Sequence, residues 1–430
     1  MKKYKWVFVV ITFFLLGYGA YRFFIFPILF PTDAEIKQYV RDNLAFIRTI
    51  DPYDDDFKDF KAIEKSIGDA SVVLLGEQDH GDAATFQAKS RLIKFLHQKM
   101  GFDVLIFESD FYGLSRSWDL TKSGKAPINE YRHNIYPLWA NCAECSDLFK
   151  YIESHFDTAN EITVAGADPI HSGKYSSENL LAEVEEMIEE KQLIQNIEER
   201  QLFLDVLRET LNEGYESVVT QHQKKFFLST LDSMEERLEK DSFWHQELRN
   251  LNGFVLNAWD SLESNNYRDI QMGDNMMWLI NHKFKDKKVI FWGSNSHIFK
   301  DFGQMGVHGP YNDGKDTINT GTYLHRLLQE DLYVLGFTSY HGNAGRLYGQ
   351  PSEIQKPLPH YFESWIHESG TPYGFVDFRD ARFRDEERYF WMKALLHRSN
   401  LVNWFNLFDG VFYIEEMYPC EEDKTWWKLE

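Results

Sequence analysis

Glu77 and His80 stand three residues apart in the turn Gly76-Glu77-Gln78-Asp79-His80-Gly81. A histidine steered by a carboxylate can take a proton from water near neutral pH, which is general-base chemistry. Three more polar groups close apolar runs in the same manner. Glu108 ends VLIFES, Asp168 ends ITVAGAD, and Ser294-Asn295-Ser296-His297 follows KVIFW-Gly293. The chain has no G-x-S-x-G elbow, no H-E-x-x-H helix, no P-loop and no dinucleotide fingerprint. Attack by an activated water is therefore the economical mechanism. The same residue types also suit several divalent ions, so metal binding stays open as an alternative.

These residues need elements to bring them together. Ser71–Leu75, Val104–Ser109, Ile162–Asp168, Lys288–Ser294 and Tyr333–Ser339 are short, β-rich apolar runs. Asp82–Met100 carries Phe86, Ile93 and Leu96 at helical spacing. In an open parallel α/β sheet, ligands bind outside the carboxyl ends of the strands. If the runs are neighbours, one rim gathers three carboxylates and two imidazoles. Lys89 shares a helical face with Phe86 and Ile93, so it points inward. Helical side chains lean toward the N-terminus, which aims its ammonium at the Glu77–His80 turn, to hold a carboxylate or a developing oxyanion. From Ser176 to about Leu262 the chain is rich in Glu, Lys, Gln and Leu and lacks Pro. It reads as a helical insertion able to form a lid or wall. The expected fold is α/β, a mainly parallel central sheet flanked by helices, with this insertion and an N-terminal transmembrane helix.

The 430 residues allow one large domain or two smaller ones. The net charge is −21 with no basic stripe, which argues against nucleic acid as a partner. Aromatic residues make up 16% of the chain, enough to fill a large core, and Trp and Tyr also line many carbohydrate pockets. Trp6 to Tyr21 is uncharged, and Phe23 to Phe30 continues the run after Arg22, approaching the roughly 20 apolar residues that span a bilayer. Lys2, Lys3 and Lys5 precede it and favour the cytoplasmic side. Residues 1–31 are thus expected to anchor a body, 32–430, that is periplasmic or extracellular. Cys142 and Cys145 form a C-x-x-C, read either as a local disulfide or as unremarkable buried thiols, and Cys420 has no obvious partner.

At these positions the chain resembles the erythromycin esterase family. The G-E-x-x-H-G turn matches Gly76, Glu77, His80 and Gly81, and the following strand ends match Glu108, Gly166 and Asp168. R-D-x-x-M-x-x-N matches Arg268, Asp269, Met272 and Asn275, and W-x-x-N-x-H matches Trp292, Asn295 and His297. Phe408, Asp409, Ile414 and Glu415 match a last segment. The resemblance implies hydrolysis of a carboxylic ester or lactone by water, with no cofactor. His80 would be the base, with Glu77 and Glu108 orienting it or the water, and His297 would touch substrate or oxyanion. Lys89, Ser294, Asn295, Asp168 and Arg268 are expected on the substrate side. The macrolide-cleaving members have Arg where this chain has Lys89 and His where it has Ser294. These departures count against a macrolide, and the expected location and aromatic content point instead to a small-molecule or glycan ester, such as an acyl group on an envelope glycan. The alternative from another class is a protein that binds a metal or haem-type ligand on the same scaffold.

Overall fold

The computed structural model describes residues 34–260, 264–305, 317–381, 383, 384, 386 and 388–426, with Gly17. The expected anchor, Trp6 to Phe30, lies outside them apart from that glycine. Among the described residues no helix is long and apolar enough to cross a membrane.

The chain opens with helix α1 (Ala34–Asp42), strand β1 (Leu44–Phe46) and helix α2 (Lys61–Ile67). The α/β alternation follows: β2 (Val72–Leu75), α3 (Ala83–Met100), β3 (Phe102–Asp110), α4 (Phe111–Lys122), the short α5 (Pro137–Ala140), α6 (Ser146–His155) and β4 (Thr163–Asp168). The helical insertion is α7 (Lys174–Glu190), α8 (Ile197–Glu213), α9 (Gln221–Glu235) and α10 (Phe243–Trp259). Then come α11 (Ser264–Trp278), β5 (Lys288–Trp292), α12 (Asn295–Ile298), α13 (Thr320–Leu328), β6 (Leu332–Ala344), β7 (Ser352–Glu353), α14 (Phe362–His367) and β8 (Tyr373–Asp377). The chain closes with β9 (Phe390–Leu395), β10 (Arg398–Val402) and β11 (Gly410–Met417).

The main sheet runs β1-β8-β11-β6-β2-β5-β3-β4, with β7 on β6. From β11 to β4 every pairing is parallel, while β8 and β1 add an antiparallel edge. Successive residues of β2 face opposite sides. Val73 and Leu75 join a core with Phe86, Ile93 and Trp292, whereas Val72 and Leu74 join Ile106, Phe291 and Met272. A strand covered on both faces must be apolar at every position, which is why VVLL reads as a continuous run. Burying each large side chain of this kind contributes about 1.5–3 kcal/mol.

Leu75 pairs with Trp292, Trp292 with Phe107, and Phe107 with Gly166. One register row thus crosses β2, β5, β3 and β4, and the polar residues beyond it emerge on one rim. Helix α3 starts at that rim, packs on the face of the sheet that carries Val73 and Leu75, and ends at Gly101 in a left-handed conformation, φ +74°. The insertion has a core of its own, including Phe203, Leu207, Phe227, Leu231 and Leu251. Cys142 is bonded to Cys420, 278 residues away, and Cys145 is a free, buried thiol. Of the two alternatives, the local Cys142–Cys145 bridge is not formed; Cys145 is the buried thiol, and Cys142 takes the partner that Cys420 lacked in the sequence. Three-dimensional proximity chose the partner that sequence proximity did not.

Candidate active site

Strand β2 stops at Gly76 because nothing larger fits there. A Cβ would lie 1.9 Å from Oδ1 of Asn295. The chain then turns and presents Glu77, which is fully buried. Three side chains hold its carboxylate. His80 Nδ1 is 2.8 Å from Oε1, the Trp139 indole N–H donates to Oε1 at 2.9 Å, and Lys89 Nζ donates to Oε2 at 2.8 Å. A carboxylate at Nδ1 selects the tautomer with its proton there, leaving the Nε2 lone pair free to accept one. The His80 ring lies edge-on to Trp139, centroids 5.3 Å apart, and its side chain keeps 16% exposure. His80 is therefore the open member of an otherwise sealed group.

Lys89 is also fully buried, lies 3.9 Å from the Trp292 ring centroid, and donates to the Gly293 carbonyl at 3.2 Å. Burial depresses its pKa, opposed by Glu77. Across β5 stands Glu108. Its Oε2 accepts the Ser294 N–H at 3.0 Å, and its Oε1 faces Arg268 Nη2 at 3.0 Å and His297 Nε2 at 3.2 Å. Arg268 also forks onto Asp168, at 3.1 Å and 2.5 Å, and His297 Nδ1 donates to Asp269 at 2.7 Å. The turn Gly293–Asn295 joins the two halves. Gly293 O meets Lys89, Ser294 N meets Glu108, and Asn295 N donates to the Glu77 carbonyl at 2.8 Å.

Burial pushes Glu108 upward, but His297, His80, Arg268 and the Ser294 N–H outweigh it and bring its pKa down to about 2. Glu108 stays a carboxylate and cannot serve as a proton donor near neutral pH. Burial works against a proton on His297, yet Asp269 and Glu108 raise its pKa to about 9. His297 is therefore an imidazolium at neutral pH. Its contact with Arg268 Nη1, 3.3 Å from Nε2, is an approach of like charges held by three carboxylates.

The rim brings together Glu77, His80, Lys89, Glu108, Asp168, Arg268, Ser294 and His297. Two sequence expectations are corrected. Asn295 is fully buried, and its amide donates to the Phe337 and Ala394 carbonyls at 2.8 and 2.6 Å, so it fastens backbone rather than facing a substrate. Lys89 has no exposure either: it holds a carboxylate, as its helical position predicts, but that carboxylate is Glu77's rather than a group on the substrate side. Trp139 and Asp269 were not singled out as site residues. No spacing rule marks Trp139, which lies on the short α5, while Asp269 sat inside the R-D-x-x-M-x-x-N match. Among the described residues one group of His, Cys, Asp or Glu converges closely enough to hold a metal: Cys142, Glu144 and Cys420, two of which are disulfide-bonded.

The scaffold is an α/β fold with a carboxylate–histidine pair at the end of a central parallel strand. Residues 97–416 match the erythromycin esterase family, and the chain belongs to it. It is 25% identical over 403 residues to a putative hydrolase, YbfO, of Bacillus subtilis, covering 84% of this chain and 87% of that one. It is 24% identical over 437 residues to an erythromycin esterase type II of Escherichia coli, covering 90% and 98%. Two solved structures share the fold. A Bacillus cereus protein superposes with a TM-score of 0.72 at 19% identity, over 92% of this chain and 100% of that one. A succinoglycan biosynthesis protein superposes at 0.69 and 18%, over 90% and 97%. Family and names together indicate a hydrolase.

Proposed function

We propose that the protein hydrolyses a carboxylic ester by direct attack of water, with His80 as general base. The observation that carries this is the His80–Glu77 contact of 2.8 Å, in which Glu77 is itself locked by Lys89 and Trp139. His80 Nε2 takes a proton as the water oxygen bonds to the acyl carbon. The carbonyl electrons move to oxygen, and the cations Arg268 and His297 on the same rim favour that negative charge. Collapse of the intermediate breaks the C–O bond, and His80 returns its proton to the leaving alkoxide.

The substrate we favour is an acyl ester on an extracytoplasmic glycan rather than a macrolide. Three observations support it. The rim lacks an imidazole at Ser294, a neighbour in fold is named for succinoglycan biosynthesis, and the Cys142–Cys420 disulfide suits an oxidising compartment. The test is hydrolysis of O-acylated oligosaccharides and of erythromycin in ¹⁸O-labelled water by residues 32–430. One label in the released carboxylic acid and preference for the glycan ester are expected. Faster erythromycin cleavage would reverse the substrate assignment, and no label in the acid would remove the water mechanism.

A further inference from the structure

A cavity of about 660 Å³ opens where the end of α4, the start of α10 and the end of α11 meet. That volume suits a small ligand. Trp278, in its wall, lies ten residues after Arg268 on α11, so the cavity sits about 15 Å along that helix from the catalytic rim. No residue of the rim lines it.

Its wall is aromatic. Phe243 stands edge-on to Trp278 with centroids 6.1 Å apart and to Trp244 at 6.0 Å, so three rings form one continuous surface. Helix α11 then runs into a π-helical turn, Leu279–Lys283, and three consecutive residues of that turn, Asn281, His282 and Lys283, face the cavity. Such turns are rare and concentrate at functional sites, because the widened backbone re-aims side chains. Polar groups of both kinds complete the lining. Lys283 pairs with Asp119 at 3.4 Å, Arg116 is steadied by Glu183, and His282 lies 3.8 Å from Asp241. Lys285 is exposed at the mouth.

A ligand for this lining needs an apolar face to lie on the electron-rich rings and hydroxyls around its edge for the amide, lysines and carboxylates. A purely apolar molecule would leave the charged edge unused, and Asp119 and Asp241 would repel a polyanion. A sugar ring has both features: its axial C–H bonds form the apolar face and its hydroxyls the rim. Arg116 and Lys283 are already paired with Glu183 and Asp119, which leaves Lys285, exposed at the mouth, as the cation that an acidic group would meet, in a chain whose net charge is −21. We propose that this cavity is a saccharide-binding subsite that takes an acidic sugar, separate from the catalytic rim. It goes beyond the hydrolytic reading and does not depend on it.

The experiment is tryptophan fluorescence titration of the His80→Ala protein, in which the proposed base is missing. The probes are a trisaccharide that carries a single uronate, the neutral maltotriose and benzoate. Expected is saturable quenching by the uronate with Kd near or below about 1 mM, weaker binding of maltotriose, and none of benzoate. Trp244→Ala and Lys285→Glu should each weaken the uronate at least about tenfold, or 1.4 kcal/mol. Trp244 packs on Tyr112 and Phe243, so Lys285→Glu, at an exposed position, guards against a loss that comes only from misfolding. Absence of uronate binding overturns the proposal, as does binding unchanged in both variants. Equal binding of benzoate would show an aromatic-anion site and overturn the saccharide assignment. Lys285→Glu should leave turnover of small esters unchanged.

Discussion

Glu77 and Glu108 flank the same turn after β5, yet the protein treats them differently. Glu77 is fully buried and answered by one buried cation, one indole N–H and one imidazole. Glu108, 3% exposed, is answered by a guanidinium and an imidazolium that also serve Asp168 and Asp269. The first arrangement orients the His80 ring. The second fixes two cations, Arg268 and His297, against three carboxylates beside it. The difference teaches that two similar strand-end carboxylates take their roles from their partners, and that the partners come from other elements.

The comparison is broken most severely at Lys89. Lys89→Met leaves Glu77 buried without its cation, and removing one partner of a buried pair costs about 3–5 kcal/mol. Denaturant unfolding should show that loss, with turnover falling as well. Arg268→Met should cost less, because its side chain is 20% exposed and water can reach the site it leaves. A Lys89→Met protein as stable as the parent would mean that Glu77 is not held as described. Trp139→Phe keeps the ring but removes the donor to Glu77. A hydrogen bond to a charged group is worth about 1.5–3 kcal/mol, and that is the expected drop in unfolding free energy, together with slower turnover.

His297 sharpens the other half. Folded, it holds its proton to about pH 9; unfolded, it releases it near about 6.5. Its contribution to stability is therefore complete below about pH 6.5 and is lost as pH rises through 9. Glu108, with its pKa near 2, contributes above about pH 4.5 and loses that contribution only as pH falls toward 2. His297→Gln should remove most of the decline in Tm between pH 6.5 and 9 and, because His297 is the largest of the charges that lower Glu108, should also shrink the contribution of Glu108 to the acid limb. An unchanged alkaline decline would show that other groups set it.

Much of this was legible in the sequence. Short apolar runs ending in Gly-Glu, Glu and Asp marked strands whose ends carry chemistry, and the i, i+3, i+4 spacing of Phe86, Lys89 and Ile93 aimed Lys89 at the turn. What stayed hidden was tertiary. Nothing local says that β5 inserts between β2 and β3, or that β1 and β8 form an antiparallel edge. The Cys142–Cys420 bond spans 278 residues, beyond any spacing rule. Asn295 was misjudged because a polar residue in a strand-end turn looks the same whether it faces a ligand or ties down backbone carbonyls.

The central claim is that His80, oriented by Glu77, activates the attacking water, and the most direct measurement is turnover by His80→Ala on an ester the parent protein cleaves. His80 itself is partly exposed, so circular dichroism should match the parent, and loss of its hydrogen bond to Glu77 should lower the unfolding free energy by no more than about 1.5–3 kcal/mol. The rate should fall by about 10²–10⁴, the usual contribution of a general base. A folded His80→Ala protein that turns over at the parental rate would contradict the account.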